Sequence, residues 1–308
     1  MKSKFSFIFP GQGSQKQKMG LDIFENYTLA KEIFNKANKL FKLNLSDYCF
    51  YANDETLQRT EIAQPALFTV SYVIYQIIKS KGIIPSYLAG HSLGEYSALA
   101  CGEVLSFEDA FNLVKIRGQL MSRASEKCPG TMAVVAGFDR FELEKVCKEF
   151  SNDNSVVIAN YNGSQRIVVS GKLSAMEKFS KLIKSKGNKF VPLNVCGAFH
   201  SPLMKPALDE FTKLIDSTKF NDAQIPIITN IDAQVTRNAI EFKEKLKKQL
   251  ISPVFWEDSV MNMINLGVNN FIEIGSGNVL TKTVKNINKN MLASNIEDSK
   301  SLNAFLDK

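Results

Sequence analysis

Histidine is nearly absent from this 308-residue chain, which has only His91 and His200, and there is a single tryptophan. The five cysteines, Cys49, Cys101, Cys128, Cys147 and Cys196, stand far apart with no Cys-x-x-Cys pair. So few dispersed ligands do not make a zinc pattern, and no metal is expected. The odd count reads as reduced, mostly buried thiols. Long apolar runs are missing too. The greasiest stretch, Pro65 to Ile78, carries Thr69, Ser71 and Gln76 and is too short to span a bilayer. Only Phe5 to Phe9 separates the basic start, Met1-Lys2-Ser3-Lys4, from Pro10, which is too short for the apolar core of a secretory leader. The expectation is a soluble, cytoplasmic protein with no membrane partner. Arginine is scarce, six against thirty-two lysines. No internal repeat or low-complexity tract is evident.

What is present begins with charge. The net charge is +7, with lysines grouped from Lys178 to Lys189 and from Lys243 to Lys248, interleaved with acids. Such interleaving reads as solvated helix faces. The positive excess would also attract anionic partners such as a phosphorylated cofactor or an acidic carrier protein. No nucleic-acid motif accompanies it, so no nucleic acid is expected as a partner. A hydrophobic content of 44% supports a sizeable core, and the length allows one large domain or a domain with an insertion.

The organising stretch is Gly90-His91-Ser92-Leu93-Gly94. A short apolar run ending Tyr87-Leu88-Ala89 precedes it, and a helical pattern, Glu95 to Cys101, follows. Gly-x-Ser-x-Gly between strand and helix is the nucleophile elbow. Around it, Phe5–Phe9, Pro226–Thr229 and Phe271–Ile274 read as strands. Helices are expected over 21–40 in two pieces, 60–81, 106–123, 203–217, 240–250 and 256–266, with a last helix after Gly275-Ser276-Gly277. Between Thr131 and Leu193 the order becomes βαββαβ, the ferredoxin-like unit. The fold class is therefore α/β: an α/β-hydrolase-like core with a mostly parallel sheet over residues 1–127 and 196–308, and an inserted ferredoxin-like subdomain over 128–195.

A serine nucleophile near neutral pH needs a base. His91 adjoins Ser92 at a strand end, so alternation should turn its side chain to the opposite side, packed beneath the elbow. That leaves His200 as the base, against the alternative of a structural histidine. Cys196, four residues before His200, is a rival nucleophile without an elbow of its own. The interval between Ser92 and His200 offers no obvious triad acid. No Asp-Gly pair occurs anywhere, which argues against the patatin-like lipases, whose serine works with the aspartate of such a pair. An oxyanion hole needs two donors: the Leu93 N–H follows the nucleophile, and Gln12, between Gly11 and Gly13 after the first strand, is placed for the second. Read alone, that loop would be only a tight turn. Arg117 lies in the helix after the elbow helix. Where arginine is so sparingly used, its planar double donor suits a carboxylate, the alternative being a surface residue.

Gly90 to Leu99, with Phe9-Pro10-Gly11-Gln12-Gly13-Ser14-Gln15, Gly197-Ala198-Phe199-His200-Ser201-Pro202-Leu203-Met204 and Glu273-Ile274-Gly275-Ser276-Gly277, closely resembles the malonyl-CoA:acyl-carrier-protein transacylases of bacterial-type fatty-acid synthesis. The resemblance covers essentially the whole chain, in order. It implies a malonyl group carried from malonyl-CoA to the phosphopantetheine thiol of an acyl carrier protein through an acyl-Ser92 intermediate, with no cofactor. It implies His200 as base, oriented by a backbone carbonyl near Gln249-Leu250, and a backbone donor at Gln12. Arg117 would hold the malonyl carboxylate. Gln249 and Phe199 join it as substrate-site residues, and relatives with Ala-Phe-His tend to take malonyl groups where those with Ala-Ser-His tend to take methylmalonyl. Two other classes use the same residues differently: a serine hydrolase, and a carrier-binding module without catalysis.

Overall fold

The computed structural model describes residues 4–150, 155–163 and 166–307. Among the described residues ten strands form two sheets: β1 (Lys4–Phe9), β2 (Tyr87–Gly90), β3 (Gly130–Ala136), β4 (Val156–Tyr161), β5 (Arg166–Lys172), β6 (Lys189–Pro192), β7 (Ile227–Ile228), β8 (Val235–Thr236), β9 (Val268–Ile274) and β10 (Leu292–Ile296). The larger sheet runs β10-β9-β1-β2-β7-β8 and is parallel except for the terminal β7–β8 pair. Helices cover both its faces, so its central strands are apolar on both sides, as in the fully buried run Phe7-Ile8-Phe9. Phe7 and Phe9 join the core beneath the helices Thr60–Ser80 and Phe107–Lys127, while Ile8 points to the opposite core around Trp256 and Phe271.

The smaller sheet is antiparallel, in the order β4-β5-β3-β6. It packs its own apolar cluster against the helices Arg140–Phe150 and Leu173–Ser185. Two backbone bonds tie it to the rest: Tyr161 N–H donates to Val254 O at 2.9 Å, and Val254 N–H to Ala159 O at 2.8 Å. Arg140 adds a bridge, donating to Asp258 at 2.9 Å with its guanidinium 3.9 Å from the centre of the Tyr161 ring.

Several elements depart from the sequence reading. The helix opened by Ser106, whose hydroxyl accepts from Asp109 N–H at 3.0 Å, continues past Arg123 to Lys127. The segment expected as one helix over 203–217 begins as a 3-10 turn, Pro202–Ala207, and becomes α-helical only from Leu208. Pro206 has no N–H to give an α-helical ladder there. The helix after Gly275-Ser276-Gly277, Val279–Ile287, is not the last element: β10 and the helix Ser299–Leu306 follow it. Leu45–Tyr51 and Asp54–Gln58 form two short helices where none was expected. Among the described residues, no helix is long and apolar enough to cross a membrane.

Candidate active site

The site lies beyond the carboxyl ends of β1 and β2, where parallel α/β sheets place their ligands. At the end of β2 the chain turns within the elbow and starts the helix Gly94–Cys101. Only glycine fits at position 94, because a Cβ there would come within 2.1 Å of Phe9 O. That close approach sets the loop after β1 against the elbow, where His91 N–H donates to Phe9 O at 3.0 Å. Ser92 itself has φ of 52°, in the left-handed region that non-glycine residues seldom occupy. His200 has φ of 55°. Strain of this kind, of order 1–3 kcal/mol per residue, persists where the surroundings over-determine it.

Ser92 Oγ lies 2.7 Å from His200 Nε2. On the far side of the ring, Nδ1 is 3.0 Å from Gln249 O and 3.1 Å from Ser252 O. Two carbonyls can only accept, so Nδ1 carries the proton and Nε2 faces the serine as an acceptor. Among the described residues no carboxylate bonds the ring. Burial, and then the charge of Arg117, push the His200 imidazole down to about 3, so the ring is neutral and able to take a proton.

Arg117 is fully buried. It reaches the site because Gly118 lets its helix close on Thr60–Ser80, where a Cβ would sit 2.9 Å from Thr60 O. Its Nη1 donates to Gln64 Oε1 at 2.9 Å, and its Nη2 to Gln249 Oε1 and to Ser92 Oγ, both at 3.0 Å. The Tyr96 ring lies 5.4 Å from the guanidinium carbon. Every hydrogen-bond partner is neutral, and Nε has none. A buried cation that no carboxylate bonds directly, with only the more distant Glu95 charge to offset it, is costly unless an anion arrives to pair with it. The buried acid of the network, Glu95, stands one amide away. Its Oε2 accepts from Gln249 Nε2 at 2.5 Å and its Oε1 from Asn230 N–H at 3.2 Å, while burial raises its carboxyl to about 7.

Gln12 reaches the same cavity. Its Nε2 donates to Thr60 Oγ1 at 3.1 Å, and its Oε1 accepts weakly from Gln64 Nε2 at 3.4 Å. Ser92, His200, Arg117, Gln12 and Phe199 share a cavity of about 90 Å³ whose apolar wall includes Met121, Met132 and Val195. Leu93 is buried next to Ser92 in the chain, and Gln249 stands behind Arg117 rather than on the cavity wall. A larger cleft of about 400 Å³ adjoins through Gln12, His91, Asn160 and Leu193, and leads out past Arg166 and Lys282.

His91 overturns the sequence expectation. It does not pack beneath the elbow but lines both cavities, with Nε2 2.8 Å from Asn162 Oδ1 and the ring edge-on to Trp256. The side chains of Asn162 and Asn160, at the end of β4, hold the ring there, with Asn160 Nδ2 3.3 Å from His91 Nε2. The hydrogen bonds of the serine hydroxyl go to His200 and Arg117, not to this ring. His91→Ala is expected to lower the thermal midpoint while fluorophosphonate labelling of Ser92 stays within about threefold of wild type. A loss of labelling in a folded protein would contradict this. Cys196 lies apart from the dyad, exposed, with Sγ 3.2 Å from Thr60 Oγ1.

Sequence reasoning missed Gln64, Glu95 and Asn230. Glu95 and Gln64 did leave a signal: each is a buried polar residue in a helix otherwise packed with apolar or small side chains. Asn230 left none locally. Among the described residues no group of three or more His, Cys, Asp or Glu could hold a metal.

Residues 6–304 match the acyl transferase domain family. The malonyl CoA-acyl carrier protein transacylase of Bacillus subtilis is 40% identical over 302 residues, 97% of this chain and 95% of that protein. Its namesake in Staphylococcus aureus is 40% identical over 297 residues, 96% of each. Among solved structures, an acyl carrier protein S-malonyltransferase from Vibrio cholerae superposes with a TM-score of 0.95 at 37% identity, covering 98% of this chain and all of that one. A malonyl-transacylase in complex with a type II PKS acyl-carrier protein gives a TM-score of 0.95 at 34% identity over 99% of both chains. With a neutral serine–histidine pair facing an unpaired arginine, and likeness to these proteins from end to end, the chain belongs to the malonyl-CoA:acyl-carrier-protein transacylase family.

Proposed function

We propose that this chain moves a malonyl group from malonyl-CoA to the phosphopantetheine thiol of an acyl carrier protein through a malonyl ester on Ser92. The observation that carries the malonyl assignment is Arg117, a buried cation with neutral partners and an Nη2 3.0 Å from the Ser92 hydroxyl oxygen. A carboxylate two bonds beyond the reacting carbonyl would supply the missing charge and leave water at little net cost. Ser92 Oγ attacks the thioester carbonyl while His200 Nε2 takes its proton. The Gln12 and Leu93 N–H groups hold the oxyanion. The C–S bond breaks, and His200 returns the proton to the departing CoA sulfur. In the second half the carrier thiol gives its proton to His200 and attacks the ester, and Ser92 Oγ recovers a proton as it leaves. One thioester replaces another, so no redox or metal chemistry is needed to drive the exchange.

The adjoining cleft of about 400 Å³, with Arg166 and Lys282 on its flank, suits a phosphorylated pantetheine arm entering from CoA or from the carrier. The 1–127 and 196–308 core and the 128–195 insertion are proposed as its two walls. The strand order β6-β3-β5-β4, antiparallel throughout, supports the ferredoxin-like reading of the insertion. The five unpaired cysteines fit a reducing, cytoplasmic setting. The test is a coupled assay with malonyl-CoA and phosphopantetheinylated carrier protein. CoA release should match formation of malonyl carrier and fall away without carrier. Steady CoA release into water at the same rate would make the chain a hydrolase.

Phe199, nearly buried beside His200, lines the 90 Å³ cavity and leaves little room for a branch at the malonyl α-carbon. Phe199→Ser is expected to improve methylmalonyl-CoA relative to malonyl-CoA by about 10- to 200-fold, the range that one methyl group commands in a fitted pocket. An unchanged ratio of specificity constants would remove Phe199 from the selectivity argument.

A further inference from the structure

Ser92 occupies a backbone conformation that its own side chain does not favour, at φ of 52°. Something must hold it there, and the elbow's glycines free the chain without restraining it. The restraint comes from across the sheet. β2 and β7 pair in parallel, with Leu88 opposite Ile227 and Ala89 opposite Ile228. Continuing that register by two residues brings Asn230, in the turn between β7 and β8, level with the elbow. Its side chain spans the turn: Oδ1 accepts from Ser92 N–H at 2.6 Å, and Nδ2 donates to Gly90 O at 2.6 Å.

The strut is itself braced. Asn230 N–H donates to Glu95 Oε1 at 3.2 Å, and Asn230 O accepts from Phe255 N–H at 2.8 Å. Each of its backbone and amide groups therefore has a partner, and the residue is 1% exposed. The turn that carries it is pinned by Thr229 Oγ1 donating to Asp232 at 2.6 Å and by the Lys245–Asp232 ion pair at 2.8 Å. Glu95 also accepts from Gln249, whose carbonyl orients His200. One buried network thus fixes the nucleophile from below and the base from beside it.

We propose that Asn230 is a positioning residue for the acyl transfer: it clamps Gly90 O and Ser92 N–H together and so aims Ser92 Oγ at His200 Nε2. This rests on the reading of Ser92 as nucleophile. Asn230 touches neither substrate nor the reacting atoms. Its removal should slow attack by the serine and leave malonyl binding at Arg117 largely intact. A displacement near 1 Å at a reacting group costs on the order of 10²-fold.

The experiment uses the full chain, as wild type, N230A and the isosteric N230D, which keeps an acceptor for Ser92 N–H but loses the donor to Gly90 O. The readouts are the second-order rate of fluorophosphonate labelling at Ser92, kcat and KM for malonyl-CoA, and the thermal midpoint. N230A is expected to label roughly 10- to 100-fold more slowly and to lose kcat by a similar factor, with KM within about threefold of wild type. N230D should fall on the same side. A general loss of stability would lower the midpoint without slowing labelling well below it. Labelling within twofold of wild type in a folded variant overturns the proposal. So does failure of both variants to fold, which would assign Asn230 to the fold rather than to the elbow. Absence of labelling on the wild type would instead remove the nucleophile reading itself, so the two failures are distinguishable.

Discussion

Alanine at position 200 is expected to slow acylation of Ser92 by about 10²- to 10⁴-fold, the range that a positioned general base contributes. The geometry says why the loss should be large. The serine hydroxyl has one acceptor suited to its proton, His200 Nε2 at 2.7 Å, and the ring is held for that task by two carbonyls rather than by a carboxylate. Carbonyls fix the tautomer but stabilise the imidazolium less than an anion would. The cost of charging the ring is therefore met when the oxyanion forms in the same step. Ser92→Ala removes the acceptor of the acyl group and should abolish the adduct, and the double variant should be no slower than the poorer single one. The pH profile gives a second reading. The His200 pKa is lowered from 6.5 to about 3 by burial first and by the Arg117 charge second, so the base stays neutral through mildly acid pH. The free protein's acylation rate should show no acid limb near 6.5. The stability effect has the matching sign: the unfolded chain binds the proton more readily, so this contribution is complete above pH 6.5 and declines as pH falls toward 3. An acid limb centred near 6.5 would contradict a buried neutral base.

Arg117→Ala is expected to cut the specificity constant for malonyl-CoA by about 30-fold to several thousandfold, the consequence of about 2–5 kcal/mol lost when one member of a desolvated charge pair is truncated. Acetyl-CoA has no carboxylate and in the wild type leaves the guanidinium unpaired, so it should be a poor substrate. In the variant it should stay level or improve. Arg117 also donates to Gln249, whose carbonyl orients His200, so some loss common to both thioesters will accompany the change. The ratio of malonyl to acetyl isolates the charge. Arg117→Lys should restore only part of it, because an ammonium cannot bond Gln64, Gln249 and a carboxylate from one plane. Without the positive charge of Arg117 beside it the His200 imidazole binds a proton more readily, so the acid limb of acylation should move to higher pH. Equal losses for the two thioesters would make Arg117 a structural residue and take away the physical argument for malonate.

The parts of the site written in neighbouring residues were legible. Gly90 to Gly94 announces a sharp strand-to-helix turn because few other residues fit, and Gly94 packs against Phe9 O with no room for a side chain. The scarcity of arginine drew attention to Arg117, and with His91 turned aside the second histidine became the candidate base. What failed was local reasoning where the chain leaves regular geometry. The alternation rule put His91 beneath the elbow, and its ring instead stands on the cleft wall, bonded to the Asn160 and Asn162 side chains. Asn230 reaches the elbow only through the β2–β7 register, 140 residues from the Gly90 carbonyl it holds, and no short-range pattern carries that pairing. The tail was misread for a related reason. The β10 segment Leu-Ala-Ser-Asn-Ile has little apolar alternation and becomes a strand because β9 offers it a parallel edge.

The proposed route between the two thiols passes through a malonyl ester on Ser92. Intact mass measurement of the protein after brief incubation with malonyl-CoA tests it most directly, with the adduct located by peptide mapping. One malonyl group is expected, on the peptide containing Ser92, which disappears when phosphopantetheinylated carrier protein is added and reappears as malonyl carrier. An adduct on Cys196 or any other residue, or carrier malonylated at full rate by a protein that never acquires the mass, would contradict it.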